Sequence, residues 1–187
     1  MIKAIIFDFF GVIRTDSYKT WLNINHIPRT GEYSEISKQS DMGKIDSSQF
    51  LDKLSKLRKR IVTAAEMHSG TRIDPEVIAI ISELKNNYTI AMLSNSPADL
   101  INGIIDDNNL RKYFDEIIVS GEIGMVKPNP DIFEYTLNKL SAKPDEVIFI
   151  DDSPANTDAA EKLGIKSIQF TSAEQLKREL NKIQIKV

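Results

Sequence analysis

Four short stretches of this 187-residue chain carry side chains capable of chemistry. In IIFDFFGVI (5–13) an apolar run ends in Asp8, then come two phenylalanines and Gly11. MLSNS (92–96) ends an apolar run in Ser94 and Asn95. GMVKPNP (124–130) holds Lys127, and FIDDSPANTDAAEKLG (149–164) ends another apolar run in Asp151 and Asp152, with Asn156 downstream. Three carboxylates brought together would repel one another and need a cation to stay ionised. An all-oxygen set with room for water suits Mg²⁺. A lysine beside a Ser/Asn pair could hold an anionic group such as phosphate, and a carboxylate facing a phosphoryl group can attack it to form an aspartyl-phosphate. Taken singly, each stretch also has a blander reading. Asp8 could be a turn former, Ser96 the cap of the next helix, and Asp151-Asp152-Ser153 a cap before Pro154. The order acid, hydroxyl/amide, lysine, acid pair, with each member at or beyond the end of a strand-like run, argues for a site instead.

The elements that must position these residues are legible. IKAIIF (2–7), YTIAML (88–93), DEIIVS (115–120), VIFI (147–150) and the shorter KSIQF (166–170) read as strands, the first of them buried on both faces as in a parallel sheet. Amphipathic helices alternate with them. Asp74-Pro75, Ser96-Pro97, Asn129-Pro130 and Ser153-Pro154 each pair a capping side chain with proline at the first helical position, and Gly164 closes the last of these helices. The pattern is an α/β fold with a doubly wound parallel sheet, whose ligands bind beyond the C-terminal ends of the strands. The candidate residues stand at those ends.

Residues 15–72 break the rhythm and read as a small helical insertion, leaving 1–14 and 73–187 as the α/β core. A helix is expected over 33–41, then the turn MGKID, then a second helix SSQFLDKLSKLRKR with Phe50, Leu51, Leu54 and Leu57 on one face. The insertion has ten Lys/Arg and seven Asp/Glu, a net +3, so the remainder of the −3 chain carries −6. KLSKLRKR reads as a solvated face, His26 and His68 as surface residues, and Trp21 as a core residue of the insertion. After Ser172, Leu176 and Leu180 mark an edge helix.

Composition narrows the function classes. Apolar residues make up 41% and charged residues 27%, as in an ordinary soluble domain. The net charge of −3 does not supply the basic face that nucleic-acid binding wants. Absence of cysteine removes disulfides, thiol catalysis and zinc–thiolate sites, and fits a cytoplasmic setting. The apolar run in MIKAIIFDFF is too short for a signal peptide, and no stretch approaches the ~18 apolar residues of a membrane helix. The expected partner is a small phosphorylated molecule, with neither nucleic acid nor membrane.

The four motifs resemble those of the haloacid dehalogenase-like (HAD) hydrolase superfamily, in the subgroup with a helical cap inserted after the first strand. The resemblance spans essentially the whole chain, and FIDDSPANTDAAEKLG is its most specific part. It implies Asp8 as nucleophile, Ser94 as phosphate-binding hydroxyl with Asn95 beside it, and Lys127 as the cation neutralising nucleophile and phosphoryl group. It implies Mg²⁺ held by Asp8, Asp152, Asp151 and the backbone carbonyl of Phe10. Gly11 matches the loop glycine that lets backbone close on the site, and Asn156 stands where a polar residue supports it. Phe10 is the departure: HAD phosphatases place a general-acid Asp there. That help is worth roughly 10²–10⁴-fold, and a phenyl ring cannot give it. Asp16 and Asn156 are candidate substitutes. Three functions fit: a Mg²⁺-dependent phosphatase, which best uses all four motifs; a weakly active phosphoryl-binding regulator, which explains Phe10; and a metal-independent 2-haloacid dehalogenase, in which Arg14 or a cap arginine would grip the substrate carboxylate.

Overall fold

The computed structural model describes residues 1–186. In chain order the elements are β1 (Ala4–Phe7), α1 (Ser17–Ile24), α2 (Gly31–Asp41), α3 (Ser47–Arg58), α4 (Ala64–Met67), α5 (Pro75–Leu84), β2 (Thr89–Ser94), α6 (Ala98–Asp107), β3 (Glu116–Val119), α7 (Ser120–Ile123), α8 (Pro130–Leu140), β4 (Val147–Asp151), α9 (Pro154–Lys162), β5 (Lys166–Gln169) and α10 (Ala173–Lys182). The five strands form one parallel sheet in the order β3-β2-β1-β4-β5. All five lie within a few residues of the expected positions. The strand residues alternate between two apolar clusters, as the two-residue period of a strand requires. Ile5, Phe7, Ile90, Met92, Ile148 and Ile150 pack against α5, α6 and α10. Ala4, Ile6, Ala91, Leu93, Val147 and Phe149 pack against α8 and α9. Helices thus cover both faces, and the strand order reverses beside β1, where β4 pairs with it. A doubly wound sheet opens its ligand crevice at such a point, which places the ends of β1 and β4 at the centre of the site.

The helix starts differ from expectation in one respect. Asp74 caps α5 through its side chain, accepting from the N–H groups of Glu76 and Val77. Asn129 and Ser153 stand at the cap positions of α8 and α9, but their side chains make no capping bond. Ser96 is not a cap, because Pro97 fills that position. The Ser96 N–H instead donates to Ser120 Oγ (2.9 Å), and its carbonyl accepts from the Gly121 N–H (3.1 Å), stitching the end of β2 to α7. Proline's preset φ is enough to start these helices.

Residues 15–72 hold four helices, two more than expected. The additional ones are α1, capped by Asp16, and the single turn α4, capped by Thr63. The helices enclose their own apolar cluster, with Tyr18, Trp21, Leu22, Ile36, Leu54 and Met67 buried in it. The chain enters and leaves this insertion side by side: the Thr15 N–H donates to the Arg72 carbonyl (3.1 Å) and the Asp74 N–H to the Ile13 carbonyl (2.9 Å). α3 stops at Arg58, two residues before the expected end, because Lys59 turns left-handed (φ +53°). No helix of the described residues is long and apolar enough to cross a membrane.

Candidate active site

Lys127 organises the site. Its side chain is 1% exposed, and its ammonium donates to Asp8 Oδ1 (2.7 Å), Asp151 Oδ2 (2.7 Å) and the Leu93 carbonyl (2.9 Å). All three donors are thereby satisfied, as a buried cation requires. Burial alone would pull the lysine's pKa down, but the two carboxylates outweigh it and hold the ammonium charged. The Asp8 carboxyl is pushed up to about 8 by burial, with Lys127 opposing and Asp151 reinforcing the rise.

The acid pair is asymmetric. Asp151 is fully buried; its carboxylate accepts from the Ser153 N–H (2.8 Å) and from Asn156 Nδ2 (3.0 and 2.9 Å). Asn156 is therefore committed to orienting Asp151 and is not free to deliver a proton. Asp152 is less buried and forms an ion pair with Lys19 from α1 (3.2 Å). Gly11 faces it: with φ at +98°, a Cβ there would lie 2.6 Å from the Asp152 carboxylate. The loop after Asp8 can pass so close only as glycine.

The set fits a divalent cation. Asp8, Asp151 and Asp152 each offer an oxygen, and these atoms lie within 4.8 Å of one another. Three carboxyl groups face one buried ammonium, and a dication such as Mg²⁺ would favour all three as carboxylates. Among the described residues no protein group donates to the Phe10 carbonyl. The Phe10 ring meets Phe9 edge-on, at 5.0 Å between centroids.

The motif-two residues divide the work. Ser94 is fully buried and its hydroxyl has no partner. Asn95 is engaged: its Nδ2 donates to the Lys127 carbonyl (2.8 Å), and its Oδ1 accepts from the Lys127 N–H (2.9 Å). It fixes the lysine's backbone.

A cavity of about 410 Å³ opens over Asp8, Phe10, Lys127 and Asp152, roofed by the helical insertion. Residues not singled out from the sequence line it, among them Tyr18, Arg29, Ser37, Ser40 and Asp41. His68 lines it too and is partly buried, contrary to the surface position expected. Burial and the neighbouring Arg14 lower its pKa. Arg14 itself donates to Thr71 Oγ1 (2.6 Å), and its guanidinium lies 6.0 Å from the centre of the Phe10 ring. Asp16 lines the cavity, but one of its oxygens caps α1 and the other lies 3.9 Å from Arg29. The amphipathic spacing of Tyr18, Trp21 and Leu22 could have revealed α1. No local signal marks Asp41, which faces the site only because α2 folds back over the strand ends.

The chain is similar to several known proteins. The family model for haloacid dehalogenase-like hydrolases matches residues 2–164. The chain is 25% identical to the D-ribitol-5-phosphate phosphatase of Bacteroides thetaiotaomicron, over 98% of both chains. Its fold resembles that of a predicted HAD-like family hydrolase from Porphyromonas gingivalis, with a TM-score of 0.80, 24% identity and full coverage of both chains. It also resembles a HAD family enzyme of B. thetaiotaomicron in complex with magnesium and inorganic phosphate, with a TM-score of 0.73 and 24% identity, over 91% of this chain and 95% of that one.

Proposed function

Because the chain belongs to the haloacid dehalogenase-like hydrolases, we propose that it is a Mg²⁺-dependent phosphatase of a small phosphorylated metabolite, working through an aspartyl-phosphate on Asp8. The observation that carries this reading is Lys127, buried between Asp8 and Asp151 with Asp152 beside them. A displacement at phosphorus needs a carboxylate held beside fixed positive charge, and this arrangement provides one. Asp8, Asp151, Asp152 and the Phe10 carbonyl would hold the ion. When bound, Mg²⁺ supplies charge neutralisation that lets an anionic nucleophile approach an anionic phosphoryl group.

The chain's own residues do the rest. Lys127 shares the charge of Asp8 and of the incoming phosphoryl oxygens. The unpaired Ser94 hydroxyl is the donor available to one of those oxygens. Asn95 and Asn156 keep Lys127 and Asp151 in place. The helical insertion acts as the cap, and its serines, acids and Arg29 favour a hydroxyl-bearing substrate, in keeping with the sugar-alcohol phosphate of the bacterial relative. A cytoplasmic setting suits such a substrate.

A second reading rests on Phe10, whose ring cannot move a proton: a phosphoryl-binding protein with little turnover. Hydrolysis of para-nitrophenyl phosphate with Mg²⁺ and with EDTA separates the two. Mg²⁺-dependent turnover that Asp8→Asn abolishes is the expected result. Turnover that appears only after Phe10→Asp would make the second reading the correct one, and turnover indifferent to Asp8→Asn would end the aspartyl-phosphate mechanism.

A further inference from the structure

With Phe10 in place of an acid, a phosphatase of this geometry needs a proton donor from elsewhere. Four acids line the cavity: Asp8, Asp16, Asp41 and Asp152. Asp8 is the nucleophile and Asp152 belongs to the cation site. Asp16 is held as the cap of α1 and lies near Arg29. Burial and Arg14 lower the pKa of His68, which disfavours the protonated form that an acid needs. Asp41, the last residue of α2, remains: among the described residues no cation lies within ion-pair distance of it, and only the Ser37 hydroxyl hydrogen-bonds its carboxyl (3.5 Å).

The fold fixes Asp41 against the catalytic loops by a short chain of bonds. Its carbonyl accepts from the Ser120 hydroxyl, and Ser120 Oγ in turn accepts from the Ser96 N–H. Ser96 follows Asn95, whose amide holds the Lys127 backbone. Two residues past Asp41, Gly43 has φ at +68° and lies so close to the Gly121 carbonyl that a Cβ would sit 2.2 Å from it. The end of α2 is thus seated on the core beside the end of β2, which carries Ser94, and near the loop that carries Lys127.

We propose that Asp41 is the general acid and base that position 10 lacks. The proposal rests on the phosphatase reading. In the first half-reaction an Asp8 oxygen bonds to phosphorus, the bond to the leaving oxygen breaks with its electron pair on that oxygen, and Asp41 gives that oxygen its proton. In the second, Asp41, now a carboxylate, takes a proton from water as the water oxygen attacks phosphorus, and the Asp8–phosphorus bond breaks with its pair returning to Asp8. Asp41 ends protonated and the cycle closes. Burial raises the Asp41 carboxyl to about 6, with Arg29 opposing and Asp16 adding to the rise, so both of its forms are accessible near neutral pH. The groups facing it are Asp16 at the cap of α1, Tyr18 on α1, Arg29 ahead of α2, Ser37 on α2 and Lys127 from the core.

The test is leaving-group dependence, because proton donation matters most when the departing oxygen is most basic. We would measure kcat and KM for para-nitrophenyl, phenyl and benzyl phosphate with the native chain and Asp41→Asn, both in Mg²⁺. The loss in kcat should rise along that series and reach about 10²–10⁴-fold with benzyl phosphate. Phe10→Asp in the Asp41→Asn background should restore much of it. An equal loss for all three substrates, a loss confined to KM, or no loss at all would each overturn the proposal while leaving the phosphatase reading intact. No Mg²⁺-dependent turnover of any of the three by the native chain would overturn both.

Discussion

At the scale of single residues, the strictest requirement lies at Gly11, because two independent constraints meet there. Its φ of +98° is one that side chains rarely adopt, and the space a Cβ would need is filled by the Asp152 carboxylate, 2.6 Å away. Gly11→Ala should therefore cost about 1–3 kcal/mol in stability, from backbone strain. It should also move Asp152 and weaken the proposed cation site by about 10–100-fold, the usual cost of disturbing a ligand's support. Thermal unfolding reads the first effect and a Mg²⁺ titration of activity the second; an alanine variant matching the native chain in both would refute the argument. The sequence makes Asp8, Lys127, Asp151 and Asp152 visible because each ends or follows an apolar run, and the structure brings all four together. It does not distinguish ligands from their supports. Asn95 and Asn156 read as site polar groups, yet each is spent on a neighbour's backbone or carboxylate. Asp41 is beyond sequence reading, since its role depends on where a whole helix lands.

At the scale of elements, the strands were easy to read because strands buried on both faces are continuously apolar, whereas the insertion's helices are short and half polar. α4, with four residues, is too short for periodicity to show, and the eight of α1 carry only one short apolar stripe. Tertiary bonds define them instead. Glu66 of α4 accepts from Trp21 Nε1 of α1 (2.7 Å) and from both terminal nitrogens of Arg60 (2.8 and 2.7 Å). The Arg60 guanidinium, then Trp21, hold the Glu66 carboxyl at about 2, below its ordinary 4.5. A carboxyl depressed by folding adds stability that is present above the unfolded value and lost as pH falls through the folded one. The contribution of Glu66 should thus be full at pH 6 and fade between about pH 4.5 and 2. Urea unfolding of the native chain and Glu66→Gln at pH 6 and pH 3 checks this. Their difference should narrow at the lower pH, and a difference that holds or widens would show that the charge is not what ties these helices together.

At the scale of the whole molecule, the proposed cation site exists only when the fold does. Asp8 follows β1, whereas Asp151 and Asp152 come at the end of β4, and only the pairing of β1 with β4 sets them side by side. The insertion then closes over the strand ends: Lys19 reaches Asp152, the Ser47 N–H donates to Asp99 (3.1 Å), and Ser120 holds the end of α2. An unfolded chain has no comparable cluster, so Mg²⁺ should bind the native state alone and stabilise it by mass action. At a hundredfold excess over the dissociation constant the gain is about 2.7 kcal/mol. For a chain of this size each kcal/mol raises Tm by about 2–4 °C, so a rise of roughly 5–11 °C is expected. Asp152→Asn removes one of the three negative charges that make the site attractive to a dication, and should flatten the response. Thermal melts across a Mg²⁺ series, without substrate, test this independently of turnover. A native chain whose Tm ignores Mg²⁺, or an Asp152→Asn variant that responds as the native chain does, would mean that the three carboxylates are held by Lys127 and Lys19 alone and form no cation site.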